Sequence, residues 1–298
     1  MKTVLFDLLN AQPSRTSKFH GGGEYIKSIF EHFVVSFSDK TRIIAFYDET
    51  RYLDKELIQD KQVRVFLVHG VEEVKNICTE NQIDIFFSGL PEYYKREWFT
   101  PETRIVGTIH GLRKIEKGHD KFEYKYCSGK ALFRNVKWNL KSMSEKAVAK
   151  AVVNQKKVIE MLDEIVCVSW HTYYALKYYY PDIPEKKIHL FYSPAKNVEI
   201  EECDLQDRMV QDRYILLIGG DRWLKNSYRA LKAIDALYDK DFLKGIATVL
   251  VGNTTDEIKK ELKHGERFRW MSYVETSELE NLYRYCEVFV YPSLNEGF

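Results

Sequence analysis

Glu296 is a carboxylate placed between an apolar run and a glycine. Val288-Phe289-Val290-Tyr291 reads as a buried strand, Pro292 stops it, and Gly297 leaves the backbone unrestricted. An α/β sheet presents ligand-binding side chains at the carboxyl ends of its strands. A carboxylate there can accept two hydroxyl groups, which gives orientation as well as affinity. A second constellation is Ile218-Gly219-Gly220-Asp221-Arg222-Trp223-Leu224-Lys225-Asn226, between a strand and a helix. Its glycines, arginine, lysine and helix amino terminus converge on one spot, which suits a diphosphate better than a solvated turn. His110, after the strand 104–109, can hydrogen-bond a hydroxyl or stabilise developing charge; the plain alternative is a structural hydrogen bond. Gly21-Gly22-Gly23, following His20, opens a helix after the first strand, where a backbone without side chains can approach an anion. The spacing is not G-x-G-x-x-G, so a dinucleotide fingerprint is disfavoured, and a flexible loop is the plain alternative. No D-x-D stands at a strand end and no His/Cys cluster has ligand spacing, so no metal is expected.

These residues need a scaffold, and short apolar runs alternating with amphipathic stretches predict one of βαβ units. Strands are expected at 2–8, 42–47, 63–68, 83–87, 104–109, 164–168 and 188–191, with helices near 22–37, 71–80, 130–160 and 170–180. After an acidic, aperiodic stretch a second series begins. It has strands at 213–218, 246–251, 268–273 and 287–291 and helices at 226–239, 255–263 and 277–285. Ser277-x-x-Glu280 looks like a capping box opening the last helix. The expected division is a domain over 1–195, a linker over 196–212 and a shorter domain over 213–298.

With 45% hydrophobic and 30% charged residues the chain is globular, not disordered. Five scattered cysteines never in C-x-x-C spacing point to thiols in a reducing compartment, not a disulfide frame or zinc site. Met1-Lys2 leads straight into a strand-like run, and no apolar stretch of about 18 residues occurs, so a cytoplasmic protein is expected. The net charge of +1 conceals a basic stretch, 117–157, with eleven Lys or Arg against three acids. Phe122, Tyr124, Tyr126, Phe133 and Trp138 are interleaved with it. Basic and aromatic residues at helical spacing suit an anionic membrane surface, giving a peripheral position on its inner face; a solvated helix face is the alternative. No nucleic-acid motif accompanies the charge, so no nucleic-acid partner is expected.

The terminal octet Tyr291–Phe298 resembles the "P-S-x-x-E-G-F-G" signature of retaining glycosyltransferases of family 4, which have the GT-B fold. Three further stretches resemble that family in the same order. The glycine run at 21–23 is similar to its first-domain loop facing the donor phosphates and acceptor. Thr108-Ile109-His110 resembles "T-x-H-D", with Gly111 in place of the aspartate. The stretch to Lys225-Asn226 resembles "V-G-x-x-x-x-x-K-N", with Gly220 where an arginine is usual, leaving Arg222 as the substitute. The string ending at Glu116, "H-G-L-R-x-x-E", looks like a subgroup of bacterial polysaccharide-type enzymes.

The resemblance implies an α/β, GT-B chain with two Rossmann-like, doubly wound domains facing a cleft and closing over a nucleotide-diphosphate sugar. The sugar would pass with retention to a hydroxyl of a glycan or lipid-linked glycan in cell-surface polysaccharide synthesis. It implies His110, Lys225 and Glu296 as catalytic residues. Gly22, Gly23, Arg222, Asn226, Gly297 and Phe298 would bind the donor, with Tyr273 and Val274 contacting the base through backbone. The family's second glutamate would fall at position 304, beyond residue 298, so the second domain is expected to be incomplete. That expectation carries an alternative, a catalytically impaired binding or scaffold subunit. A sugar-nucleotide epimerase is a weaker one, since its acid/base carboxylates cannot be placed.

Overall fold

The structure is a computed structural model that describes residues 1–297 apart from 14–20, 54, 60–61, 128–140, 195–203, 205, 207 and 221. The chain divides into two compact units. One comprises Met1–Leu112, Lys150–Ala195 and the terminal pair from Gly297; the other comprises Arg113–Ala149 and Lys196–Glu296. Segment 113–149 therefore groups with the second unit, although it precedes the linker in sequence.

In the first unit seven strands form one parallel sheet: β1 (Lys2–Asp7), β2 (Thr41–Asp48), β3 (Val63–Val68), β4 (Ile85–Ser88), β5 (Arg104–Ile109), β6 (Glu164–Cys167) and β7 (Ile188–Leu190). Their order is β3-β2-β1-β4-β5-β6-β7, so the direction of winding reverses between β1 and β4. β1 pairs Val4 with Ile43 of β2 and with Ile85 of β4. Five of its six residues are buried, as befits a central parallel strand covered on both faces. Alternate side chains go to opposite faces. Val4, Phe6 and Leu8 join Tyr25, Ile26, Phe30 and Val34 of the helix Gly21–Phe37 in one cluster. Phe6 and Phe30 meet edge to face at 5.3 Å; burying each such ring contributes ~1.5–3 kcal/mol.

The second unit holds four parallel strands, β8 (Arg213–Ile218), β9 (Ile246–Val251), β10 (Phe268–Met271) and β11 (Val288–Phe289). Their order is β10-β9-β8-β11, so its reversal lies between β8 and β11. Ile215 and Leu217 of β8 face a cluster with Ala230, Leu231, Ile234 and Tyr238 of the helix Ser227–Tyr238. Tyr214 and Leu216 face the opposite cluster with Val249, Val251 and Leu282.

Two expectations are corrected. The strand expected over 287–291 is not buried: β11 is two residues long and outermost, and Val288 is 52% exposed. An edge strand gains cover from one neighbour only. The last helix runs Thr276–Tyr285, and its capping box is Glu275 with Glu278, not Ser277 with Glu280. Glu275 N donates to the Glu278 carboxylate at 2.7 Å, satisfying an amide that the helix cannot. The glycines 21–23 open the helix Gly21–Phe37, as expected of them.

Candidate functional site

In the second unit Lys225 and Glu296 meet. Lys225 ends a 3-10 turn, Trp223–Lys225, beyond β8; Glu296 follows β11. These are the two strands flanking the reversal of the sheet, where loops diverge and leave a crevice for ligands. Lys225 Nζ donates to Glu296 Oε1 at 2.7 Å, and both side chains are largely covered, at 12% and 27% exposure. Tyr291 joins them: its hydroxyl accepts from Lys225, its ring lies 4.4 Å from Nζ, and it donates to Glu296 Oε1 at 3.0 Å. Ser293 Oγ donates to the same oxygen at 2.5 Å. Burial alone would raise the Glu296 carboxyl, but the hydrogen bonds from Lys225, Ser293 and Tyr291 and the lysine charge outweigh it. They hold its pKa below the ordinary glutamate value.

Backbone geometry makes room for this cluster. Gly219 has φ +91, and a Cβ there would stand 2.6 Å from Lys225 Cγ, so only glycine fits. Its N–H donates to Val251 O at 2.8 Å, holding the turn to β9. Asn226 adopts the left-handed conformation (φ +58) and ties the two loops, its Nδ2 donating to Pro292 O at 3.1 Å. Leu294 N donates to Leu224 O at 2.8 Å beside it. Arg222 stands exposed on the same turn. Tyr273 is 51% exposed with its hydroxyl on Glu275, whereas Val274 is buried in the core, which leaves backbone as its route to a ligand.

Other candidates lie in the first unit. Gly22 and Gly23 belong to the first turn of the helix after β1. His110 follows β5; its Nε2–H donates to Gly89 O at 3.0 Å, and its ring meets Tyr25 edge to face at 4.9 Å. Gly297 O accepts from Ser169 Oγ at 2.5 Å and Thr172 Oγ1 at 2.7 Å. A Cβ on Gly297 would fall 1.5 Å from His110 O, so no side chain is tolerated. Phe298 lies outside the described residues, as does His20. Where the winding reverses between β1 and β4 the unit has a cavity of about 440 Å³. Asn10, Asp48, Arg51, His69 and Tyr93 supply its polar and aromatic lining.

Tyr291, Ser293, Asp120 and Arg229 belong to or support the Lys225–Glu296 cluster and are absent from the sequence-derived set. For Arg229 the signal was its spacing, one helical turn from Asn226.

The fold is that of GT-B glycosyltransferases: two parallel-sheet α/β units of Rossmann type. Residues 212–298 match the family described as "Glycosyl transferases group 1". Solved structures similar to the whole chain include sucrose-phosphate synthase from Thermosynechococcus elongatus, with a TM-score of 0.64 and 12% identity over 100% of this chain and 77% of that one. WaaG, a glycosyltransferase involved in lipopolysaccharide biosynthesis, has a TM-score of 0.59 and 10% identity over 99% and 76%. The catalytic domain of starch synthase IV from Arabidopsis thaliana, bound to ADP and acarbose, has a TM-score of 0.54 and 11% identity over 100% and 79%. No curated protein matches the sequence.

Proposed function

We propose that the chain is a retaining glycosyltransferase that moves a sugar from a nucleoside-diphosphate sugar to a hydroxyl acceptor in polysaccharide synthesis. One observation carries the reading: Lys225 and Glu296, far apart in sequence, meet at 2.7 Å between the strands flanking the sheet reversal of the second unit. The match over 212–298 covers both residues. Lys225, Arg222 and the Gly220 amide would take up the negative charge of the departing diphosphate, with no metal assigned to the step. Donor phosphate competes with Glu296 for the lysine, and the carboxylate so released accepts donor-sugar hydroxyls. His110 and the Gly22–Gly23 turn are assigned to the donor by the T-x-H and glycine-run resemblance. Asn226 would hold the lysine turn in place, and the backbone at Tyr273–Val274 would face the base.

The acceptor is proposed to be a glycan. The cavity of the first unit offers an exposed aromatic ring, Tyr93, beside a carboxylate, an amide and a guanidinium, groups that suit sugar faces and hydroxyls. An acceptor carried on lipid would bring the chain to an anionic membrane surface, with the basic stretch as the contact.

Thermal unfolding with millimolar UDP, GDP, ADP, CMP and their sugars tests the donor reading. Ligand at a hundred times its dissociation constant adds ~2.7 kcal/mol, so the matching nucleoside diphosphate should raise the midpoint by several degrees. No shift with any of them counts against a donor site at Lys225 and Glu296 and favours a non-catalytic role.

A further inference from the structure

We infer that segment 113–127, which lies before the linker, positions the turn bearing Lys225 and the loop bearing Glu296 through Asp120, Arg229 and Glu116. The inference rests on reading Lys225 and Glu296 as donor-binding residues.

Asp120 is buried, and its two oxygens each lie 2.9 Å from Arg229 Nη2. Arg229 Nη1 donates to Asn226 Oδ1 at 2.8 Å, with the guanidinium 4.5 Å from the Phe122 ring centre. Asn226 in turn binds Pro292 O, one turn of chain before Glu296. A continuous set of hydrogen bonds, charge-assisted at Arg229, thus runs from Asp120 to both donor loops. A second link joins Glu116, whose carboxylate accepts from Asn295 Nδ2 at 3.3 Å, directly before Glu296.

The segment also completes a helix end. Asn226 gives the helix Ser227–Tyr238 no side-chain cap, and the amide of Tyr228 donates instead to Tyr126 OH at 2.7 Å. Lys125 pairs with Glu261, which also accepts from Tyr228 OH at 2.7 Å, and Thr255 Oγ1 donates to Lys125 O at 2.7 Å. Phe122 and Tyr126 pack against the core cluster beneath that helix. Asn226 holds a left-handed conformation that a non-glycine residue adopts at a cost, so surrounding bonds must over-determine it. Arg229 and Pro292 supply those bonds. Misplacement of binding groups by about 1 Å can cost up to a hundredfold in rate, so loosening this network should be felt at Lys225.

The test compares Asp120→Asn, which keeps the shape and removes the charge, with Asp120→Glu, which restores a carboxylate. Ile234→Val, a core change on the same helix away from the network, controls for simple destabilisation. Amide hydrogen exchange reads positioning without any ligand: Asp120→Asn should speed exchange about tenfold at 223–229 and 293–296, beyond the control. Titration with the nucleoside diphosphate that stabilises the wild type should show about tenfold weaker binding in Asp120→Asn. Asp120→Glu should recover part of the loss. Exchange no faster than in Ile234→Val overturns the inference, and so does faster exchange with unchanged nucleotide affinity. If exchange responds while the wild type binds no nucleoside diphosphate, positioning stands and the functional reading fails.

Discussion

Lys225 is held by two partners, the Glu296 carboxylate and the Tyr291 hydroxyl. A cation so held is pre-oriented, and an anion entering the cluster gains a charge whose position is already fixed. Lys225→Ala should therefore lower sugar transfer at least tenfold at saturating donor, about 1.4 kcal/mol or more of lost transition-state stabilisation. Initial rates with the donor identified by thermal shift provide the measurement, and a wild-type rate would remove Lys225 from the site. Removing the lysine also leaves Glu296 partly buried with only hydroxyl partners, so its carboxyl should titrate at higher pH than in the wild type. Lys225 and Glu296 were legible because each sits after an apolar run in a recognisable string. Tyr291 was hidden for the opposite reason: an aromatic at the end of a strand reads as core until its hydroxyl is seen to face two charges.

At the scale of elements, what could be read depended on how local the cause is. β3, β5, β8 and β9 have the bounds expected of them. β8 and β9 are apolar runs buried along most of their length, while β3, at the sheet edge with Arg64 and Leu67 exposed, is bounded by its β-branched residues. The end of the last helix was misread because Glu275 and Ser277 both offer a cap, and only backbone geometry decides between them. The exposure of β11 depends on what lies beside it, which no local pattern encodes. The crossing of 113–127 to the second unit rests on pairs more than a hundred residues apart, Asp120 with Arg229 and Lys125 with Glu261. These pairs also divide the basic stretch. Lys125, Phe122 and Tyr126 are committed to the second unit, so they are unavailable to a membrane, and Phe133 and Trp138 lie outside the described residues. Lys146, Lys150, Lys156 and Lys157 are exposed on the helix Lys141–Met161. If this helix meets an anionic surface, replacing all four lysines by glutamate should abolish sedimentation with phosphatidylserine vesicles at low salt, at ~1 kcal/mol per lost cation. Unchanged sedimentation would make the helix an ordinary solvated face.

Across the whole molecule, no helix of the described residues is long and apolar enough to cross a membrane, and the formal charge is close to zero. The pH dependence of stability then turns on individual buried groups. Burial pushes the thiols of Cys78 and Cys167 up to about 12, so both stay protonated and inert near neutrality. Asp7 is a titrating group of greater consequence. It ends β1 at the reversal of the first sheet, wholly buried, and accepts from Leu9 N at 2.9 Å, Asn10 Nδ2 at 3.1 Å and Ser88 Oγ at 2.7 Å. It therefore joins β1 to β4 beneath the cavity that Asn10 lines. Desolvation raises its pKa above 3.8, against the opposing effect of those hydrogen bonds. A raised folded-state pKa means that the native state holds the proton more tightly than the unfolded chain. The resulting stability is fully present below the unfolded value and is lost as pH rises through the folded one. Asp7→Asn keeps an amide of the same shape and does not titrate. The midpoint of the wild type minus that of the variant should thus fall as pH rises above about 4, by about 2–4 °C for each kcal/mol. A difference that stays constant, or grows with pH, would mean that the three donors hold Asp7 as the anion, and that the first unit keeps a buried charge at the centre of its sheet.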